Sequence, residues 1–106
     1  MEGFEKAAAR QDIKDGAFTV VEIQGEEIVL TELDGAVVAF SNVCSHEECT
    51  FIFEGAGQLE GNEIYCDCHS SRFNILTGAV LDPPATQPIA TYTVRIEGAD
   101  VLLGPA

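Results

Sequence analysis

The chain has 106 residues and a formal net charge of −13, with 18 aspartates and glutamates against 5 lysines and arginines. This length predicts a single domain, and the negative charge excludes binding to nucleic acid or anionic lipid and favours a monomer. No apolar run is long enough to span a membrane and the start, Met1–Glu5, is acidic, so a cytoplasmic protein without a membrane anchor or secretory signal is expected.

Short apolar-alternating runs separated by turn signals predict an all-β chain. The segment Glu5–Arg10 has helix propensity but is short and uncapped, so it is predicted as a strand. The Asp34-Gly35 pair predicts a two-residue hairpin. In chain order, the strands predicted after the first are Phe18–Ile23, Glu27–Leu33, Ala36–Phe40, Glu63–Tyr65 (reached from Gln58–Glu60 through a turn), Thr91–Glu97 and Val101–Leu103.

The strand near the C-terminus shows a period of two residues. Tyr92, Val94 and Ile96 are apolar and alternate with polar residues. This pattern predicts a half-buried antiparallel strand with those three side chains on its buried face. Val101–Leu103 is expected to pair with it across a turn.

The chain divides into a scaffold and an insertion. The scaffold is predicted to comprise residues 1–41 and 86–106 of a single domain spanning 1–106. The insertion, residues 42–85, holds all four cysteines and both histidines. The chemistry of the protein is therefore expected in the insertion.

Two cysteine–histidine motifs stand out within this insertion. They read Cys44-Ser45-His46 and Cys66-Asp67-Cys68-His69. Two thiolates and two imidazoles on separate loops can hold one metal centre, and the mixed order is typical of a [2Fe–2S] cluster with two cysteine and two histidine ligands. Structural zinc with the same four ligands is an alternative, as is a pair of disulfides with incidental histidines.

The sequence around these motifs resembles the Rieske [2Fe–2S] proteins, and most closely the soluble Rieske-type ferredoxins. The resemblance extends from Cys44-Ser45-His46 through Cys66–Phe73 to Thr77-Gly78 and the Asp82–Ala85 loop. It implies an antiparallel β sandwich with an inserted cluster-binding subdomain. It also implies that Cys44 and Cys66 bind the inner iron and that His46 and His69 bind the outer iron.

The resemblance assigns roles to further residues. Cys49 and Cys68 occupy the positions at which quinol-oxidising Rieske proteins have a disulfide between the ligand loops, and the same disulfide is expected here. Ser71 occupies the position of a serine that donates a hydrogen bond to a bridging sulfide. Phe73 replaces a tyrosine that bonds a ligand cysteine, which predicts an intermediate reduction potential. Pro83 and Pro84 are expected to shield the cluster.

The function implied by the resemblance is one-electron transfer by a protein that is not itself an enzyme. The donor is expected to be a flavin-dependent reductase and the acceptor a terminal oxygenase, both docking through basic surfaces. Alternatives are the Rieske small subunit of a nitrite-reductase-like complex, a quinol-oxidising Rieske fragment and a zinc-binding interaction domain. The acidic charge also has a simpler interpretation, which is solubility.

Overall fold

The computed structural model describes residues 3–44, 50–52, 57–66, 71–82 and 87–105. These residues form ten strands, one short 3-10 helix and no α-helix, and they include no helix of the length and hydrophobicity that a membrane crossing requires. The elements are β1 (Glu5–Ala9), the 3-10 helix (Arg10–Asp12), β2 (Thr19–Ile23), β3 (Glu26–Leu33), β4 (Ala36–Ser41), β5 (Gln58–Glu60), β6 (Glu63–Tyr65), β7 (Arg72–Asn74), β8 (Val80–Asp82), β9 (Val94–Glu97) and β10 (Asp100–Leu103).

The strands form three antiparallel sheets. Their orders are β1-β10-β9, β2-β3-β4 and β5-β6-β7-β8. The first sheet joins the two ends of the chain, and the third is built entirely from the segment between β4 and β9. The prediction of an all-β antiparallel fold is therefore confirmed.

Two tight turns explain the second sheet. Gln24-Gly25 and Asp34-Gly35 both have positive φ at each residue, 53° and 82° in the first pair and 52° and 84° in the second. Two consecutive left-handed residues are what a two-residue hairpin of matching twist requires. They set the register in which β2 pairs with β3 and β3 with β4.

The predicted strands are largely reproduced, with one correction near the C-terminus. Glu5–Ala9 forms β1 as predicted, although Arg10 begins the 3-10 helix. β9 begins only at Val94, so Tyr92 lies before it. Tyr92 is buried as expected, but Ile96 is 46 % exposed because it lies on an edge strand. The prediction of a buried Ile96 was wrong.

β3 is buried on both faces and separates two hydrophobic cores. Ile28 and Leu30 face the first core, which they share with Val101 and Leu103 of β10. Val29 points the opposite way into the second core. This second core contains the apolar face of the third sheet together with both described cysteines. The sheet β2-β3-β4 therefore packs beneath the candidate site.

Candidate metal centre

The first ligand loop begins at the end of β4. Cys44 follows this strand by three residues, and Val43 forms an antiparallel bridge with Thr50. The Phe51 N–H donates to the Asn42 carbonyl at 2.9 Å. These contacts bring together the two ends of residues 45–49, which contain the predicted ligand His46 and lie outside the described residues.

The second ligand loop connects β6 to β7. The register Ile64 to Phe73 continues to Cys66 and Ser71, where the Cys66 N–H donates to the Ser71 carbonyl at 2.8 Å. Residues 67–70, with the predicted ligand His69, lie between these two positions and outside the described residues. A regular β-hairpin therefore holds the base of the second loop.

The two described cysteines among the predicted ligands are buried in the same core. Cys44 is 2 % exposed and Cys66 is 0 % exposed, and both belong to the second hydrophobic core. The structure forms no disulfide between these two cysteines. The two thiols stand at the start of two separate loops and lie in one buried core. This arrangement allows both to contribute to a single metal centre.

A row of three phenylalanines underlies the loops. The Phe51 ring contacts Phe73 edge-to-face with centroids 5.4 Å apart, and Phe40 at 6.3 Å. Phe51 is 2 % exposed, and the other two are completely buried. Phe51 and Ile75 belong to the same buried core as Cys44 and Cys66, which places this core next to the bases of both loops.

A single cation lies behind the second loop. Arg72 is the only lysine or arginine between residues 42 and 85. Its Nη1 lies 2.5 Å from Glu63 Oε1 and its Nε lies 2.8 Å from Asp82 Oδ2. The short polar contact with Asp82 and the negative charges of both carboxylates raise the pKa of Arg72, so the guanidinium stays charged. The two ion pairs link β7 to β6 and to Asp82, the last residue of β8, which Pro83 and Pro84 follow in the sequence.

Gly78 anchors the other end of that proline segment. Its φ is +82°, and an added Cβ would lie 2.1 Å from the Ile89 carbonyl oxygen. The Ile89 N–H donates to the Gly78 carbonyl at 2.9 Å. Only glycine allows this approach, which fixes the point to which the chain returns after the proline loop.

The structure thus describes four of the ten residues to which the sequence assigns a site role. Cys44, Cys66, Ser71 and Phe73 are all buried. No group of three metal-ligating side chains comes together within the described ranges. The remaining predicted residues lie outside those ranges: His46, Cys49, Cys68, His69, Pro83 and Pro84.

Two residues that organise this site are not among those predicted from the sequence. Asn42 is 1 % exposed and holds the base of the first loop, and Arg72 forms the ion pairs described above. Arg72 could have been noticed as a solitary cation in an acidic segment, whereas no local pattern marks Asn42, which follows the end of β4.

Comparison with known proteins identifies the family. The model of the Rieske [2Fe–2S] domain matches residues 4–93 of the chain. The chain belongs to the Rieske [2Fe–2S] family. Among the relatives of this Rieske protein, the ferredoxin component of the naphthalene 1,2-dioxygenase system of Pseudomonas putida is 39 % identical over 98 residues, which cover 92 % of this chain and 91 % of the relative.

Two further comparisons agree. The ferredoxin component of the naphthalene 1,2-dioxygenase and salicylate 5-hydroxylase systems of Ralstonia sp. is 40 % identical and covers 92 % of this chain and 90 % of its own. The ferredoxin of carbazole 1,9a-dioxygenase from Nocardioides aromaticivorans IC177 superimposes with a TM-score of 0.82 at 30 % identity, over 99 % of this chain and 100 % of its own. The protein is accordingly an electron carrier of the ferredoxin type rather than a catalytic oxygenase.

The family identifies the cofactor as a Rieske [2Fe–2S] cluster, and the described residues fit it. Such a cluster needs two thiolates on one iron, shielded from water. Cys44 and Cys66 supply two buried thiols from two loops that end in one apolar core. The buried Ser71 lies opposite Cys66, at the other end of the second loop.

Proposed function

We propose that this protein transfers single electrons from a flavin-dependent reductase to the terminal oxygenase of an aromatic-ring-hydroxylating system. The observation that carries the proposal is the near full-length match to ferredoxin components of dioxygenase systems. In this chain the two buried cysteines stand at the start of the two predicted ligand loops. The bound cluster supplies a one-electron redox couple.

Four side chains hold the cluster in this proposal, and all four come from the insertion 42–85. Cys44 and Cys66 bind the inner iron, and His46 and His69 bind the outer iron. The burial of both cysteines keeps water from the sulfur ligands. In this proposal the histidines are the more exposed pair, and their exposure shortens the path of the electron to a docked partner. Ser71 donates a hydrogen bond to a sulfide, while Pro83 and Pro84 cover the site.

Cys49 and Cys68 form a disulfide that joins the two ligand loops. The described starts of the two loops support this pairing, because Cys44 and Cys66 are buried in the same core and so place the two loops side by side. Titration of thiols in the intact, air-purified protein tests the disulfide. No reactive thiol is expected, and two reactive thiols contradict the pairing.

The acidic surface directs docking onto basic partner surfaces of both the reductase and the oxygenase. A net charge of −13 increases the encounter rate with a cationic surface, and salt screens this attraction. In this proposal the protein is a cytoplasmic monomer. The rate constant for its reduction by the reductase is therefore expected to fall steeply as ionic strength rises. A rate constant that does not depend on salt assigns the charge to solubility alone.

A quinol-oxidising role is the second candidate, and the Cys49 and Cys68 pair is what favours it. The iron–sulfur subunit of a cytochrome b6-f complex from Chlorobaculum thiosulfatiphilum is 27 % identical, although the matched region is only 50 % of that protein. Phe73 argues against this role, because it cannot donate the hydrogen bond that a tyrosine gives to a ligand sulfur.

Protein-film voltammetry between neutral and alkaline pH tests the proposal and separates the two candidates. An oxygenase-supplying carrier is expected to have an intermediate midpoint potential, well below the upper end of the Rieske range near about +300 mV. The potential should fall at alkaline pH as the ligand histidines lose protons. A value at the upper end replaces the proposal with quinol oxidation, and a protein with no reversible couple contradicts both.

A further inference from the structure

The side chain of Asn42 is buried and fully engaged in hydrogen bonds. Its Oδ1 accepts the Ile52 N–H at 2.8 Å, and its Nδ2 donates to the Ile52 carbonyl at 3.1 Å. Nδ2 also donates to Glu27 Oε1 at 3.2 Å. The residue is only 1 % exposed. The amide thus pairs with both polar groups of one residue, as a peptide group does in an antiparallel sheet.

The backbone of Asn42 adds two hydrogen bonds to the same two segments of the chain. Its N–H donates to the Glu27 carbonyl and its carbonyl accepts the Phe51 N–H, both at 2.9 Å. Asn42 therefore fastens β3 on one side and the chain that returns from the first loop on the other. The Val43 bridge to Thr50 lies one step nearer the loop. Together these contacts form a closed neck for the loop that starts at Cys44.

The two ligand loops differ in how they are closed. Regular pairing between β6 and β7 closes the second loop. The described residues on the returning side of the first loop, Thr50–Ile52, form no strand, only one isolated bridge. Ile52 is 3 % exposed, so water cannot readily satisfy its N–H and carbonyl. Without the Asn42 amide, both groups would be buried and unpaired, which costs free energy.

We propose that Asn42 is a positioning residue for the cluster: its side-chain amide replaces the missing strand partner of Ile52 and thereby holds together the two ends of the first ligand loop, next to Cys44. The inference rests on the proposed cluster ligation by Cys44 and His46. It makes retention of the metal depend on a residue that is not a ligand. A general contribution to folding stability does not predict this dependence.

The test compares Asn42→Leu with Thr31→Val. Leucine has a similar size to asparagine but cannot bond Ile52. Thr31 is also completely buried, and its hydroxyl donates to the Ala17 carbonyl at 2.7 Å, within the scaffold. Both substitutions thus remove buried hydrogen bonding, but only one removes it beside a ligand loop. The readouts are iron release to a chelator, followed by absorbance, and the width of the electron paramagnetic resonance lines of the reduced cluster.

Asn42→Leu is expected to release iron about tenfold faster than the wild type, a factor near the upper end of what one net hydrogen bond contributes. Its resonance lines should broaden as the loop samples several geometries. Thr31→Val should keep the wild-type values when each protein is measured equally far below its own unfolding midpoint. Equal iron release by the two variants overturns the inference.

If Asn42→Leu does not fold, Asn42→Ser and hydrogen exchange of the wild type provide the test. Serine is too short to bond both groups of Ile52 and should also accelerate iron release. In the wild type, a peptide containing Phe51 and Ile52 should be strongly protected, and exchange at the rate of an unstructured peptide overturns the inference. A wild-type protein with neither iron nor sulfide overturns the proposed function itself, whereas normal wild-type content with stable Asn42 variants overturns only the role of Asn42.

Discussion

Replacement of Phe73 by tyrosine should raise the reduction potential of the cluster. Phe73 pairs with Ile64, and Cys66 is opposite Ser71 two pairs closer to the loop, so all four side chains share one face. Phe73 is therefore the diagonal neighbour of Cys66, at the separation of about 7–8 Å that an aromatic side chain can bridge. A hydroxyl on this ring can donate a hydrogen bond to the Cys66 sulfur.

The size of the shift follows from the worth of one hydrogen bond. The reduced cluster carries one more electron than the oxidised cluster, so its sulfur ligands accept the hydrogen bond from the tyrosine hydroxyl more strongly. A net hydrogen bond contributes about 0.5–1.5 kcal/mol. Because a one-electron couple shifts by about 59 mV for each tenfold change in equilibrium constant, the midpoint potential should increase by roughly 20–65 mV.

Voltammetry of Phe73→Tyr and Phe40→Tyr side by side provides the assay. Phe40 is also completely buried but lies at the far end of the aromatic row, 6.3 Å from Phe51. Its variant should lose about 1–3 kcal/mol of stability from an unpaired hydroxyl while the potential stays the same. An unchanged or lower potential in Phe73→Tyr refutes the proposed geometry around Cys66, as does an equal increase in both variants.

Three further predictions concern other parts of the structure. Gly78→Ala should destabilise the protein by about 2–4 kcal/mol in urea unfolding, because a left-handed residue is strained and its Cβ meets a backbone carbonyl. Gly61→Ala, also at positive φ but in open space, should cost only about 1 kcal/mol, and equal losses contradict the close approach. Burial and the nearby charge of Glu26 raise the pKa of Tyr92, so the native state keeps a proton that the unfolded chain loses near pH 10.0. Wild-type stability should therefore be full below that pH and decline above it, a decline that Tyr92→Phe should lack in denaturation measured across pH 9–11. Arg72→Gln should lower the midpoint potential because two carboxylates near the second loop lose their cation. Arg95→Gln, in the scaffold, should not lower the potential, and an equal effect of both variants excludes a local role for Arg72.

The sequence predicts the strands well where local chemistry determines them. Aspartate followed by glycine readily adopts two consecutive left-handed conformations, and the hairpin that Asp34-Gly35 predicts is present. Ile96 shows the limit of this approach. Its alternation with polar neighbours predicts a buried face, but burial depends on whether another layer covers the strand, and β9 is at the edge of its sheet.

The sequence identifies candidate ligands for a different reason. Metal ligation requires particular side chains at short spacing, so Cys44 and Cys66 stand out without any knowledge of the fold. The closure of the loops was not predictable in this way. Asn42 acts on Ile52 ten residues later through an amide that mimics a peptide group, and no local pattern distinguishes such an asparagine from an exposed one.

The central claim is that one [2Fe–2S] cluster is held by two cysteines and two histidines. Pulsed electron paramagnetic resonance of the chemically reduced protein measures this ligation directly, because nitrogen nuclei bound to iron couple to the unpaired electron. Couplings from two histidine nitrogens are expected, one lost in a His46 variant and the other in a His69 variant that retain the cluster. A paramagnetic cluster without nitrogen couplings contradicts the mixed ligation, and a protein that contains zinc and gives no signal contradicts the cluster.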